Sequence, residues 1–116
     1  MNNDFVFYRY ADVLLMKGEA LVRQGKTSEA LSYFNQVRER AGVPLYQEKG
    51  LTLNEILNER SRELAWEGFR RQDLIRFGKW TQPWYEKETS GDFTKLLPIP
   101  YWAIDTNSKL KQNPGY

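Results

Sequence analysis

The feature that most constrains the fold is a pair of apolar-striped segments joined by a very short connection. Residues 9–24 and residues 28–41 each repeat small and apolar side chains at intervals of three and four, the period of an amphipathic helix. Gly25 is suited to end the first helix, and Thr27 is suited to cap the second. Helices joined this tightly run antiparallel. The sequence therefore predicts a helical hairpin.

The spacing within this hairpin resembles one tetratricopeptide repeat, whose first helix carries a Gly and whose second carries Ala-x-x-x-Phe. Gly18, Ala30 and Phe34 stand at those positions. Because one repeat leaves an apolar face uncovered, the hairpin needs a neighbour, and the helix that starts at Leu53 is the expected one. The predicted fold is all-α: a tetratricopeptide-like helical hairpin, further helices and an extended, loop-rich C-terminal tail, in a single domain over residues 1–116.

The densest mixture of acids, arginines and apolar residues lies in the middle of the chain. Thr52 and Glu55 form a capping-box pattern, which predicts a helix over residues 53–67. Gly68 predicts a break, because glycine destabilises a helix interior, and a short helix is expected over residues 70–77.

Three charged side chains of the first of these helices fall on its apolar side. At about 100° per residue, Arg60, Glu63 and Glu67 share an arc with the leucines, which leaves a solvated face on the other side. The residues expected on that solvated face are Glu55, Asn58, Glu59 and Arg62. Since a buried charge is costly unless paired, Arg60 either bridges Glu63 and Glu67 or reaches acids on a neighbouring helix. The predicted structural ion network comprises Arg60, Glu63, Glu67, Arg70 and Asp73.

The same acids admit a catalytic interpretation. A glycoside hydrolase uses two carboxyl groups that flank a cleft and have opposed pKa values. Glu63 and Glu67 are instead one turn apart on one helix and are mixed with arginine. A buried salt-bridge network is the favoured interpretation, so we predict no catalytic residue and no enzyme activity.

Composition excludes several classes of site. The 116 residues contain no cysteine and no histidine, which removes thiol nucleophiles, the commonest general base and most zinc or iron sites, so we predict neither metal nor cofactor. Seventeen basic and fifteen acidic residues give a net charge of +2 without a long basic run, so no nucleic-acid partner is expected. No apolar run reaches the length of a membrane span, and no signal-peptide pattern occurs at the start.

The C-terminal third is expected to be irregular. Residues 97–100 contain two prolines and should be extended, and residues 101–104 should form one helical turn. The last five residues, 112–116, have turn chemistry and are expected to be loose.

Blocks of sequence spread over nearly the whole chain carry a resemblance. They begin with Tyr-Arg-Tyr-Ala-Asp at residues 8–12 and Asn-Gln-Val-Arg at residues 35–38. The most distinctive is Glu-Arg-x-x-Glu-Leu-x-x-Glu-Gly-x-Arg-x-x-Asp-Leu at residues 59–74. Leu-Pro-Ile-Pro at residues 97–100 and Gln-Asn-Pro-Gly-Tyr at residues 112–116 follow. In this order the blocks resemble the C-terminal part of SusD/RagB-family proteins, the glycan-binding outer-membrane lipoproteins of Bacteroidetes.

The resemblance implies a non-catalytic scaffold segment of a surface-exposed protein that captures glycans. It also implies a partner, a SusC-like TonB-dependent transporter, and attachment to the outer membrane through a lipid anchor outside this chain. Most sugar-contacting residues of the family are expected outside this segment.

Aromatic side chains are the candidates for sugar contact within the chain, because a flat ring covers the apolar C–H face of a pyranose. The predicted carbohydrate-binding residues are Trp80, Trp84, Tyr85 and Trp102. The alternative is that these rings fill the core, and their exposure distinguishes the two. The alternative function for the whole chain is a stand-alone tetratricopeptide-like protein-interaction module that holds a peptide on its concave face.

Overall fold

A computed structural model describes residue 4 and residues 6–116, and its regular structure is helical. The α-helices are α1 (Tyr10–Arg23), α2 (Thr27–Arg40), α3 (Leu53–Glu63), α4 (Arg70–Arg76) and α5 (Tyr101–Thr106). Two 3₁₀ turns lie at Glu48–Gly50 and Asp92–Lys95, and the described residues form no strand beyond one isolated bridge. The all-α prediction is confirmed. The chain divides into two compact units, Met1–Asp73 and Leu74–Tyr116, and a single domain over residues 1–116 stays a prediction.

The α1–α2 hairpin is built as the repeat spacing predicts. Ala30 and Phe34 are fully buried, and a Cβ built on Gly18 would lie 2.4 Å from Phe34 Cε2, so only glycine lets the ring approach α1. Gly25 has a φ of +78°, and the amides of Gly25 and Lys26 donate to the carbonyls of Val22 and Leu21. This pattern is a Schellman ending. The predicted Thr27 cap is wrong, because Thr27 is already the first residue of α2.

The third helix starts where predicted and ends earlier. Thr52 Oγ1 accepts a hydrogen bond from the Glu55 amide at 3.2 Å, but the Glu55 carboxylate is held by other groups, so only half of the capping box forms. A longer helix would need the amide of Glu67 to reach the carbonyl of Glu63. The guanidinium of Arg9 donates to that carbonyl instead, and α3 ends at Glu63. The prediction of a helix continuing to residue 67 is therefore wrong.

The core of the first unit lies where α1, α2 and α3 meet, and it is apolar. Its large buried members include Leu15, Phe34, Val37, Ile56 and Leu57. Burial of side chains of this size contributes about 1.5–3 kcal/mol each, so this junction is the main source of stability in the unit.

In the second unit, the tail is tied down rather than loose. The side chain of Gln112 accepts from the Ile99 amide at 2.8 Å and donates to the Ile99 carbonyl at 2.9 Å, as a neighbouring strand would. Asn113 Nδ2 donates to the Leu97 carbonyl at 2.7 Å, and Tyr116 Oη donates to the Leu96 carbonyl at 2.9 Å. The expectation of a loose tail is wrong, because side-chain amides satisfy the extended backbone of residues 97–100.

Candidate functional site

Two of the predicted aromatic residues, Trp80 and Trp84, form a pair in the second unit. Their ring centroids lie 6.2 Å apart with planes tilted by 59°. Trp80 is half-buried, and its indole nitrogen donates to Thr94 Oγ1 at 3.0 Å. A buried tryptophan that finds a partner for its N–H is held in place, so Trp80 supports Trp84.

A tight turn carries Trp84 and Tyr85 to the surface. The amide and carbonyl of Trp84 pair with those of Lys87 at 3.1 and 2.9 Å, and Glu86 adopts a φ of +57° within the turn. Lys87 Nζ lies 4.2 Å from the Trp84 ring centroid in a cation–π contact. Trp84 is 44% exposed and Tyr85 is 86% exposed, so the turn presents two rings to solvent.

Trp102 lies apart from this group. It is 71% exposed on α5, and no ring contact within the described part of the chain joins it to Trp80 or Trp84. The alternative that the predicted aromatic residues fill the core does not describe Trp84, Tyr85 or Trp102. It describes Trp80 in part. The structure therefore brings together two of the four predicted residues and places Tyr85 next to them in sequence, on the same turn.

The predicted ion network is divided into separate clusters. Arg60 is 3% exposed; its Nε donates to Asp73 Oδ2 at 2.8 Å, and its Nη1 lies 3.0 Å from Asp12 Oδ1. Of the two alternatives for Arg60, the structure shows the second, acids on other elements. It does not bridge Glu63 and Glu67.

Glu63 and Glu67 belong to a second cluster, whose centre is Arg9. Arg9 donates to Glu63 Oε1 at 2.6 Å and to both oxygens of Glu67 at 2.8 and 2.9 Å, and Arg40 also pairs with Glu63 at 2.7 Å. The hydrogen bond from Arg9 holds the pKa of Glu67 below its ordinary value, against the opposing effect of burial. The remaining predicted member, Arg70, donates to the carbonyl of Leu57 at 3.1 Å.

A third cluster was not predicted, because its acids were assigned to the solvated face of α3. Glu59 is buried and accepts hydrogen bonds from Arg38 at 2.8 Å and from Arg62 at 2.6 Å. Tyr46 Oη lies 2.8 Å from Glu55 Oε1 and 2.9 Å from Glu59 Oε2. The pKa of Tyr46 is raised, mainly by burial and to a smaller extent by its hydrogen bonds with these carboxylates. The spacing of Glu55, Glu59 and Arg62, which places them on one helix face, is the sequence feature from which this cluster could have been predicted.

The loop before α3 explains why that face is covered. Asn35 accepts from the Tyr46 amide at 2.8 Å and donates to the Tyr46 carbonyl at 3.2 Å, which fixes the loop against α2. The Tyr46 ring then meets Phe34 edge-on at 6.4 Å and lies 4.2 Å from the Arg38 guanidinium. The loop thus places a ring over the part of α3 that periodicity assigns to solvent.

Comparison with known proteins identifies the family to which the chain belongs. The family model described as the SusD family matches residues 1–116. The chain belongs to the SusD family. The starch-binding protein SusD of Bacteroides thetaiotaomicron is 32% identical over 124 residues, which cover 99% of this chain and 22% of that protein. A SusD-like protein of Formosa agariphila is 36% identical over 135 residues, which cover 99% of this chain and 26% of that protein.

Solved structures of SusD proteins share the fold. The surface glycan-binding protein A of Bacteroides uniformis superimposes with a TM-score of 0.83 at 30% identity, over 97% of this chain and 28% of that structure. A SusD superfamily protein of Bacteroides vulgatus gives a TM-score of 0.81, also at 30% identity, over 96% of this chain and 28% of that structure. The chain spans about a quarter of the length of these SusD relatives. None of its described helices is long and apolar enough to cross a membrane.

Proposed function

We propose that this chain is a non-catalytic scaffold segment of a cell-surface glycan-binding protein. The observation that carries the proposal is the match along the whole chain to relatives that include a starch-binding protein and a surface glycan-binding protein. The buried ion clusters support a scaffold role, because they join α3 to the segments on either side of it. Each cluster links residues that are distant in sequence.

The exposed aromatic residues support a direct contribution to glycan contact. Trp84 and Tyr85 present rings on one tight turn, and Trp102 presents a third on α5. Rings of this kind bury apolar area against a sugar while Tyr85 Oη remains able to bond a sugar hydroxyl. Trp80 contributes by holding Trp84 rather than by contact with the ligand.

The charge states support the non-catalytic part of the proposal. A glycosidase needs one carboxyl group whose pKa is raised, so that it can donate a proton to the leaving group. Arg9 lowers the pKa of Glu67, and Arg62 lowers the pKa of Glu55. Both groups are therefore held ionised by arginine, which favours structure over proton donation.

The resemblance to the family extends the proposal to location and partner. We place the protein at the outer face of the outer membrane, held by a lipid anchor, where it passes glycan to a SusC-like TonB-dependent transporter. Co-purification of the full-length protein with such a transporter tests this part. Recovery of a soluble peptide partner and no transporter would instead favour the alternative function, a tetratricopeptide-like protein-interaction module.

Glycan contact is tested by titrating the full-length protein with maltoheptaose and a panel of other neutral oligosaccharides in a calorimeter. We expect Tyr85→Ala to weaken the binding of a recognised oligosaccharide by about fivefold, since one stacked ring contributes on the order of 1 kcal/mol. Tyr85→Phe is the matched control, because it keeps the ring and should keep most of the affinity. Unchanged binding in Tyr85→Ala, Trp84→Ala and Trp102→Ala would exclude these rings as the glycan platform.

A further inference from the structure

The turn that follows α3 contains an exposed ring on an unfavourable backbone. Trp66 has a φ of +64°, a left-handed conformation that bulky residues rarely adopt, and its side chain is fully exposed. Neighbouring contacts hold the turn: the Glu67 amide donates to the Leu64 carbonyl at 3.1 Å, and the Glu67 carboxylate is fixed by Arg9. Strain of this kind persists where the surrounding structure imposes it, and it is concentrated at binding sites.

A cavity of about 500 Å³ opens beside this ring, which is a size typical of small-ligand sites. Trp66 and Leu64 contribute its apolar lining, and Gly68 leaves one side open, with no atom within 4 Å of where its Cβ would be. Arg70 and Arg71 lie on its wall. The cavity therefore combines an aromatic face with positive charge.

Arg70 is the guanidinium best placed to meet a ligand. Arg60 also lines the cavity, but Asp12 and Asp73 neutralise it. Arg70 is exposed, and its Nη1 donates to the Leu57 carbonyl at 3.1 Å, which orients the planar group. Within the described part of the chain, that carbonyl is its one hydrogen-bond partner, so further N–H groups face solvent.

We propose that the cavity between Trp66 and Arg70 binds an acidic sugar, with the Trp66 ring against the sugar's C–H face and the Arg70 guanidinium on its carboxylate. Arginine pairs with carboxylates through parallel hydrogen bonds, which adds specificity for a uronate over a neutral hexose. The inference rests on the proposed glycan-binding function and names the class of glycan. It assigns a site whose lining residues do not include those of the Trp84–Tyr85 turn.

The test uses the full-length protein, with trigalacturonate as the acidic probe and maltotriose as the neutral one. We expect trigalacturonate to bind more tightly, and its affinity to fall when NaCl is raised from about 50 mM to about 500 mM, because added salt screens the Arg70–carboxylate attraction. Arg70→Gln should weaken trigalacturonate binding by about tenfold and flatten the salt dependence. Equal affinity for the two probes would overturn the proposal.

Trp66→Gly separates a ligand platform from a packing residue. Glycine adopts the positive φ without strain, so this variant should raise the thermal midpoint of unfolding while it weakens trigalacturonate binding by about tenfold. A lowered thermal midpoint would show that the ring packs against other parts of the protein, and the proposal would be wrong.

The glycan-binding function is tested separately in the same titrations. Binding of neutral oligosaccharides that is lost in Tyr85→Ala would support the glycan-binding function. If trigalacturonate then binds equally well with and without Trp66, only the acidic-sugar site is refuted. A protein that binds no saccharide at all would refute both.

Discussion

Removing Arg60 should destabilise the first unit more than removing any exposed arginine. In Arg60→Ala, the carboxylates of Asp12 and Asp73 lose the cation that lies 3.0 and 2.8 Å away, and both remain buried. Breaking a buried pair by deleting one partner costs about 3–5 kcal/mol, since the remaining charge is desolvated and unpaired. Folded domains are stable by about 5–15 kcal/mol, so this single change removes a large part of the margin.

The assay is urea-induced unfolding of the full-length protein, followed by circular dichroism, with the midpoint and the slope m fitted together. Arg40→Ala is the matched control, because Arg40 also pairs with a buried carboxylate, that of Glu63, but its own side chain is 64% exposed. Arg9 continues to neutralise Glu63 in that variant. The control should therefore lose no more than about 1 kcal/mol.

A further variant tests whether the unpaired carboxylates of Asp12 and Asp73 cause the loss of stability in Arg60→Ala. Replacing Arg60, Asp12 and Asp73 together by Met, Leu and Leu removes every charge of the cluster, and much of the stability lost in Arg60→Ala should return. Equal losses in Arg60→Ala and Arg40→Ala would refute the reasoning, because they would mean that burial does not decide the cost of an unpaired carboxylate here.

Two other perturbations test the packing and the charge clusters. Gly18→Ala should destabilise the folded protein by about 1–3 kcal/mol, because its Cβ would meet the fully buried Phe34 ring at 2.4 Å. Gly50→Ala is the control: no atom lies within 4 Å of the new Cβ, so the urea midpoint should stay nearly unchanged. Equal midpoints would exclude the close contact. Hydrogen bonds from Arg62 and Arg9 lower the pKa values of Glu55 and Glu67 in the folded state, so these groups stabilise the fold at a pH above their ordinary value of 4.5 and lose that contribution as the pH falls through the lowered values. The unfolding midpoint should drop as the pH falls below about 4.5, with a smaller drop in Glu67→Gln, and an identical pH profile in that variant would contradict the assigned role of Glu67.

The helical hairpin and the all-α class were predictable from local information. The apolar period places one face of each helix inward, and Gly18 and Phe34 stand at positions that face each other once the helices run antiparallel. Thr52 marked the start of α3 because its hydroxyl caps an amide three residues away. These features depend on contacts within or between adjacent elements, which spacing alone describes.

The exposed aromatic surface was predictable only in part. The sequence singled out Trp80, Trp84, Tyr85 and Trp102; the last three are exposed, and Trp80 is half-buried. It did not single out Trp66, because the strained turn that exposes this ring forms only where Arg9 takes the carbonyl of Glu63 and stops α3. A partner more than fifty residues away, as Arg9 is, leaves no local signal at the turn.

What the sequence determined by itself is therefore which residues share a face, and what the tertiary structure decided is which partner each polar group finds. Arg60 has one acid, Glu63, a turn away along α3, yet its partners are Asp12 and Asp73. Glu59 was expected in solvent, yet Tyr46 covers it. The physical reason is that long charged side chains pair with whichever group the fold brings within about 3 Å, and helical periodicity carries no information about the elements that pack on top of it.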